Sequence, residues 1–408
     1  MKLCERALNF LQVIDYKGTV RICGWIMNNE IGSLEEQSMY EIWHGEKAWA
    51  IRNKLINEDY SDCVVDACPY CAMDTHDEHF AEFEELPEYP THLYLAYEET
   101  CNYACTSCTT PETMRNADHT KLEEGYKNIE DKLKEVLPHV KHISANGRGE
   151  LFASPHILKL LSEWTPISPT SECSVSLETN GSLFDEKHWK QIENLGKYNL
   201  RVAITVMSFD ERTYQYLSGT KLPVSKIEDN LRFVRSLREK GIINYLELAT
   251  VYQERNFRFL PEFTRQCIEE FKADGVRLRP YMPWGSRPPE VEWFYDVRNP
   301  QHPYYPEFIE IMKDPIFKHP KVSEWSGGRN SYYNRYAPWD KPKKKEQLLS
   351  SALNIENVLQ RVSVDSRDNI VIYGLSDVGK VLILGLLRKG VMPIAVLCID
   401  VMTHASFV

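Results

Sequence analysis

The 408 residues contain no run of about 20 apolar residues, the length a membrane-spanning helix requires, so no membrane span is expected. No apolar run of signal-peptide length follows the start, Met1-Lys2-Leu3-Cys4-Glu5-Arg6, which points to the cytoplasm. Positive charge is also in deficit. Lys and Arg number 48 against 59 Asp and Glu, a net charge of −11, and this balance argues against a general nucleic-acid binder. With 43% hydrophobic and 26% charged residues the chain reads as soluble and globular, long enough for two or three domains. Cysteine is what it has in quantity. Eleven in a cytoplasmic chain are expected as thiols rather than disulfides. Eight precede residue 109: Cys4, Cys23, Cys63, Cys68, Cys71, Cys101, Cys105 and Cys108. The other three, Cys173, Cys267 and Cys398, stand alone and read as small core residues.

The densest group is Cys101-Asn102-Tyr103-Ala104-Cys105-Thr106-Ser107-Cys108, spaced C-x3-C-x2-C. Thiolates are soft ligands suited to iron–sulfur clusters. A 4Fe-4S cube has four irons, so three local cysteines leave one iron open to a small molecule. Zinc is the alternative, but it usually takes four ligands in paired C-x2-C knuckles, and no fourth lies near. The segment 92–97 reads as a buried strand, which places the cysteines in the loop after it, where α/β units keep their ligand chemistry.

This loop resembles the cluster-binding loop of the radical S-adenosylmethionine (SAM) enzymes. The resemblance implies that Cys101, Cys105 and Cys108 hold a 4Fe-4S cluster whose open iron binds the amino and carboxylate groups of SAM. An electron then splits SAM into methionine and a 5′-deoxyadenosyl radical. The family usually has an aromatic residue before the third cysteine. Ser107 stands there instead, so adenine stacking must come from elsewhere.

Residues 91–285 alternate strand and helix. Strands are expected at 92–97, 142–145, 172–178, 200–206, 245–251 and 275–279, with helices at 121–137, 155–163, 185–194, 225–240 and 260–272. Six βα repeats imply a parallel sheet curling into a partial (β/α)6 TIM-like barrel with its site at the strand C-termini. The loop after the second strand, Asn146-Gly147-Arg148-Gly149-Glu150, resembles the family's Gly-Gly-Glu motif, which implies Gly147, Gly149 and Glu150 as binders of the SAM amino group. Glu178-Thr179-Asn180-Gly181 after the third is a turn signal that looks like the family's Thr-Asn-Gly, implicating Asn180. Ser208 and Asp210 after the fourth are similar to the Ser-x-Asp element that meets the SAM ribose, although Asp210 reads equally as a helix N-cap. After the fifth and sixth strands, 251–256 and 279–285 offer polar and aromatic groups for SAM or substrate.

Residues 1–75 read as a small Cys-rich α+β domain. A hairpin is expected from strands at 11–16 and 19–23 around Lys17-Gly18, then a helix over 38–55, then Cys63, Cys68 and Cys71 in a loop. Four thiolates with a C-x2-C knuckle also suit structural zinc. The order Cys4, Gly18, Cys23 and the segment 31–43 resemble the SPASM and twitch domains, which carry auxiliary 4Fe-4S clusters in radical SAM enzymes. That resemblance implies Cys4, Cys23, Cys68 and Cys71 as ligands and Cys63 as a spare or substitute. In the family this domain usually follows the barrel; here it precedes it.

The remaining divisions are an acidic linker at 76–90, the barrel core at 91–290, an irregular wrap at 291–349 and a Rossmann-like βαβ fragment at 350–408, with strands at 369–373 and 394–399. The resemblance implies hydrogen abstraction from a substrate C–H bond, an electron donor such as flavodoxin or ferredoxin, and a carbohydrate-like small molecule or peptide as substrate. The rival expectation is a non-catalytic zinc- or cluster-binding protein with a drifted SAM site.

Overall fold

A computed structural model describes residues 2–26, 29–63, 68, 80–82, 85–108, 119–145, 148–282, 287, 289–324, 371–373 and 395–397. The chain divides into two compact units, residues 1–281 with 307–329, and residues 282–306 with 330–408.

The first unit is built on six parallel strands, β6 (His92–Leu95), β7 (His142–Ala145), β8 (Ser174–Thr179), β9 (Asn199–Thr205), β10 (Tyr245–Tyr252) and β11 (Gly275–Pro280). They lie side by side in sequence order. Parallel neighbours need crossovers, and right-handed crossovers in unbroken order put every helix on the same face. The main helices between these strands are His119–Val136, Pro155–Glu163, Val224–Glu239 and Leu260–Glu269. This is the expected partial (β/α)6 barrel.

Side-chain alternation bears the mark of that one-sided cover. Leu93, Leu95, Ile143, Val175, Leu177, Val202 and Ile204 are buried on the helix face. The opposite face carries Tyr94, Ser144, Ser176, Glu178, Ala203 and Thr205, and it is less buried position by position. An all-parallel sheet covered on both sides would read as continuous hydrophobic runs. Here the second face lines a lumen.

The sheet does not end with these six strands. A short β12 (Val322–Glu324) adds a seventh parallel strand beside β11, within the stretch expected to be an irregular wrap. At the other edge, β2 (Phe10–Val13) runs parallel to β6, and β3 (Thr19–Arg21) and β4 (Glu30–Ser33) continue antiparallel. The expected N-terminal hairpin therefore shares one ten-stranded sheet with the barrel. Within the acidic stretch, β5 (Phe80–Glu82) pairs antiparallel with β1 (Lys2–Cys4).

The expected helix over 38–55 forms as two, Met39–Trp43 and Glu46–Ile56, split at His44-Gly45. Ser38 and Glu41 close a capping box at its start, Glu41 N donating to Ser38 Oγ at 3.2 Å and Ser38 N to Glu41 Oε2 at 2.8 Å. Arg52 is buried under Trp43, its guanidinium 4.0 Å from the ring, with Nε donating to Ala7 O at 3.0 Å and Nη1 to Trp43 O at 2.7 Å. This fixes both helices against the helix Glu5–Asn9, which begins at Cys4.

In the second unit the helix Pro289–Tyr295 is held by His302, whose Nε2 lies 2.9 Å from Phe294 O. β13 (Val371–Tyr373) and β14 (Ala395–Leu397) pair in parallel, as a βαβ crossover demands, while the residues between them lie outside the described residues. Among the described residues no helix is long and apolar enough to cross a membrane.

Candidate iron–sulfur and cofactor site

The cysteine loop 101–108 leaves the C-terminal end of β6 and is clamped from two sides. On one side Ala104 N donates to Ser218 O at 3.1 Å and Thr106 N to Leu217 O at 2.9 Å. These acceptors end the helix Glu211–Ser218, whose cap Gly219 has φ +60°; a Cβ there would stand 2.3 Å from Ala104 O. On the other side Glu150 N donates to Thr100 O at 2.8 Å, and a Cβ on Gly149 would stand 2.6 Å from that same oxygen. Both positions need glycine because backbone meets backbone there. Gln253, at the end of β10, adds a third tie, its Nε2 donating to Thr106 Oγ1 at 2.9 Å.

Cys101 is exposed and Cys105 and Cys108 are half-buried. Desolvation of its sulfur by the surrounding loop, with Glu150 and the Cys108 thiol, pushes the Cys101 thiol up to about 11; burial and the thiols of Cys108 and Cys101 push Cys105 up further. Thiols gathered in this way suit a cationic cluster, which takes them as thiolates. Among the described residues no three His, Cys, Asp or Glu side chains are gathered to hold one metal ion. A cubane asks each thiolate for a different iron and does not need them to converge on one point.

Glu150 is fully buried. Its carboxylate accepts from Thr179 Oγ1 at 2.5 Å, Asn180 N at 2.6 Å and Phe152 N at 3.2 Å. Burial pushes this carboxyl up and the hydrogen bonds pull it back. A carboxylate accepts about four hydrogen bonds, so room for one further donor is left. Asn180 Nδ2 donates to Asn102 Oδ1 at 2.9 Å, and Asn102 Nδ2 donates to Ser182 Oγ at 2.8 Å. The loops after β6, β7 and β8 are thus one hydrogen-bonded surface. Arg148 turns away from it, pairing with Glu99 and donating to Ile14 O at 2.9 Å in the N-terminal hairpin. Gly147 lies outside the described residues.

Ser208 is buried, its Oγ accepting from Asp210 N at 3.1 Å, and Asp210 caps the next helix by accepting from Thr213 N at 2.9 Å. The capping role open for Asp210 in the sequence is the one it fills. Asn102, Ser182 and Gln253 had no place in the motif reading. Asn102, between two cysteines, and Ser182, just past the Asn-Gly turn, carried the only local signal.

The second thiol group forms where the helix Glu5–Asn9, the end of β3 and the loop after the helix Glu46–Ile56 meet. Cys4, Cys23, Cys63 and Cys68 line one pocket with Arg6, Trp25, Leu55 and Tyr60. An antiparallel bridge, Ile26 to Cys63, brings Cys63 in. Burial pushes the Cys4 and Cys23 thiols up, and burial together with the other three thiols pushes Cys63 up to about 12. Cys63, expected from sequence as a spare or substitute ligand, stands with three of the expected ligands; Cys71 lies outside the described residues. The isolated Cys173 and Cys267 are buried, as expected of core residues; Cys398 lies outside the described residues.

Residues 98–255 match the model of the Radical SAM superfamily, and residues 4–72 match that of an iron-sulfur cluster-binding domain, SPASM. An uncharacterized protein of Methanocaldococcus jannaschii is 26% identical over 189 residues, which span 44% of this chain and 40% of that protein. Among solved structures, Streptococcus suis SuiB bound to its precursor peptide is 15% identical, over 79% of this chain and 72% of that one, with a TM-score of 0.40. The Kitasatospora setae methyltransferase TsrM, with cobalamin and a [4Fe-4S] cluster bound, is 14% identical over 50% and 42%, with a TM-score of 0.30. The two matched domains bring with them 4Fe-4S clusters and SAM as cofactors. The thiol loop after β6 falls inside the first match and the four-thiol pocket inside the second, so the chain carries a radical SAM domain over residues 98–255 with a SPASM-type iron-sulfur domain ahead of it over residues 4–72.

Proposed function

We propose that this chain cleaves SAM reductively and uses the resulting radical to abstract a hydrogen atom from a substrate C–H bond. The observation that carries the reading is the thiol loop clamped at the barrel mouth against the bonded set Glu150, Thr179 and Asn180. A 4Fe-4S cluster on that loop supplies, when bound, an open iron for SAM and the electron that splits it.

The chain's own residues take the remaining roles. Cys101, Cys105 and Cys108 are the cluster ligands. Glu150 offers its remaining acceptor capacity to the SAM ammonium, Gly149 lets the backbone come close, and Asn180 fixes the turn. Ser208 stands for the ribose, with Asp210 holding it through the helix cap. The lumen takes the substrate and keeps water from the radical. Cys4, Cys23 and Cys68, with a fourth thiol, hold an auxiliary cluster that accepts the substrate electron or binds substrate, and a flavodoxin- or ferredoxin-type protein donates the first electron.

The test is iron and zinc per chain after anaerobic reconstitution, with 5′-deoxyadenosine release under reduction. About eight irons and release of the nucleoside are expected. About four irons with one zinc would keep the catalytic loop and turn residues 1–75 into a structural zinc module. Zinc alone, without nucleoside release, would overturn the enzymatic reading in favour of a binding protein.

A further inference from the structure

The lumen wall carries charge. Strand register puts Tyr94 of β6, Glu178 of β8, Glu247 of β10 and Arg277 and Arg279 of β11 on the face opposite the buried aliphatic set. Glu178 opposes Ala203, Ala203 opposes Glu247, and Arg277 and Arg279 follow on the next strand. Two acids and two bases in a barrel interior are costly, and a purely structural core would be filled with aliphatic side chains instead.

The four do not pair off. Arg277 Nη2 donates to Glu247 Oε2 at 2.6 Å, which satisfies one acid and one base. Arg279 Nη2 stops 3.8 Å from the other oxygen of Glu247, beyond hydrogen-bond reach. Glu178 makes no hydrogen bond or ion pair among the described residues; burial pushes its carboxyl up and the Arg279 charge pulls it back. The Tyr94 hydroxyl, on the same face, is also without a hydrogen-bond partner among the described residues. One acid and one hydroxyl are therefore left over, and Arg279, held to Glu247 only by a loose ion pair, makes no hydrogen bond among the described residues. They are walled by protein, yet each keeps a strip of accessible surface on the lumen.

Their height in the barrel matters too. Glu178 directly precedes Thr179, which bonds Glu150, and Arg279 lies one residue before the end of β11. Glu178 and Arg279 thus sit beneath the site assigned to SAM.

We infer that Glu178 and Arg279, with Tyr94, are a substrate-binding pair for a ligand carrying both an ammonium and a carboxylate, an amino acid or short peptide. Glu178 takes the ammonium and Arg279 the carboxylate. A neutral sugar would bring Glu178 no counter-charge and Arg279 no carboxylate, a difference that selects against it. This inference rests on the reading of the lumen as the substrate chamber of a SAM-cleaving enzyme.

The experiment uses the full chain, anaerobically reconstituted and with SAM present. Calorimetric binding is measured for the twenty free amino acids and dialanine, for the same compounds N-acetylated or C-amidated, and for a set of neutral disaccharides. At least one zwitterion is expected to bind, with affinity lowered at least about tenfold by acetylation or by amidation. Glu178→Gln is expected to abolish the discrimination against the acetylated form only, and Arg279→Gln the discrimination against the amidated form only. Arg279→Lys should keep the preference for a carboxylate. A substitution that merely loosened the barrel would weaken all probes alike, and that result would overturn the assignment. So would disaccharide binding, binding indifferent to both blocking groups, or no zwitterion bound by protein that does release 5′-deoxyadenosine. Protein that releases none overturns the enzymatic reading itself, and the probe series then reports separately on the lumen; should a variant fail to fold, the probes on the parent chain still decide.

Discussion

Replacing Gly219 by alanine tests whether the clamp on the cysteine loop matters to the cluster. The new Cβ would stand 2.3 Å from Ala104 O and 2.8 Å from its carbonyl carbon. Relief requires the two segments to part by roughly 1 Å. Ala104 N–Ser218 O and Thr106 N–Leu217 O, now 3.1 and 2.9 Å, would then stretch to about 4 Å and cease to be hydrogen bonds. Losing both costs about 2 kcal/mol, and alanine at φ +60° adds about 1 kcal/mol. A loss of about 3 kcal/mol is survivable for a domain stabilised by about 5–15 kcal/mol, so the variant should fold, with Tm lowered by several degrees.

The cluster should fare worse than the fold, because the displaced backbone lies between Cys101 and Cys105. After reconstitution, Gly219→Ala is expected to lose about four irons per chain and its SAM cleavage, while its denaturant midpoint falls only moderately. Gly219→Asn separates the causes. Asparagine tolerates a left-handed backbone but brings the same Cβ, so it should lose the cluster as well. Parental iron content and 5′-deoxyadenosine yield in both variants would refute the clamp argument.

Three further outcomes follow from other parts of the molecule. Cys63→Ala should lower iron from about eight to about four per chain and leave the signal of the loop 101–108 cluster in place; unchanged iron would return the fourth place to Cys71. Glu150→Gln puts an amide NH2 against donors at Thr179 or Asn180 and should cost about 1–3 kcal/mol in urea unfolding, whereas a neutral result would mean the three-donor set is not formed. Glu98, buried and accepting from Ile157 N at 3.0 Å, has its carboxyl pushed up by burial from its ordinary 4.5 to about 7, with His156 pulling it down. The folded chain holds this proton where the unfolded chain has lost it, so the contribution to stability is full below about pH 4.5 and gone above about pH 7, at most about 3 kcal/mol. Glu98→Gln keeps the acceptor without the charge and should be more stable than the parent at pH 8, with a flatter stability profile between pH 5 and pH 8; an unchanged profile would count against the buried charge.

The six barrel strands were legible because each is a local pattern bounded by turn residues, and β6 to β11 begin within two residues of their expected starts. What sequence periodicity cannot supply is the partner of a strand. The hairpin at Lys17-Gly18 was readable, but its pairing with β6 joins residues some 80 apart, as Phe10 with His92, and nothing local encodes it. β12 has three residues and lies among prolines and tyrosines, too short for any period to show. Cys63 illustrates the same limit in the site. Spacing ranks thiols along the chain, whereas the bridge from Ile26 decides which of them meet. Glu150 stood out as a motif residue, but its engagement by Thr179 and Asn180 depends on two neighbouring strands ending at the same height.

The lumen shows how a legible signal is passed over when its physical meaning is taken from an average. Ser174-Val175-Ser176-Leu177-Glu178-Thr179 and Val276-Arg277-Leu278-Arg279 alternate polar with apolar as clearly as an edge strand in water does. A strand in the middle of a parallel sheet should not, since helices ordinarily cover both of its faces. The two facts agree only if the sheet has all its helices on one side and has curled around the other. Unbroken strand order and right-handed crossovers produce that arrangement. Alternation inside a run of consecutive βα units thus identifies the lumen-facing residues before any side chain is placed, and in this chain those residues include Glu178 and Arg279, neither of which makes a hydrogen bond among the described residues.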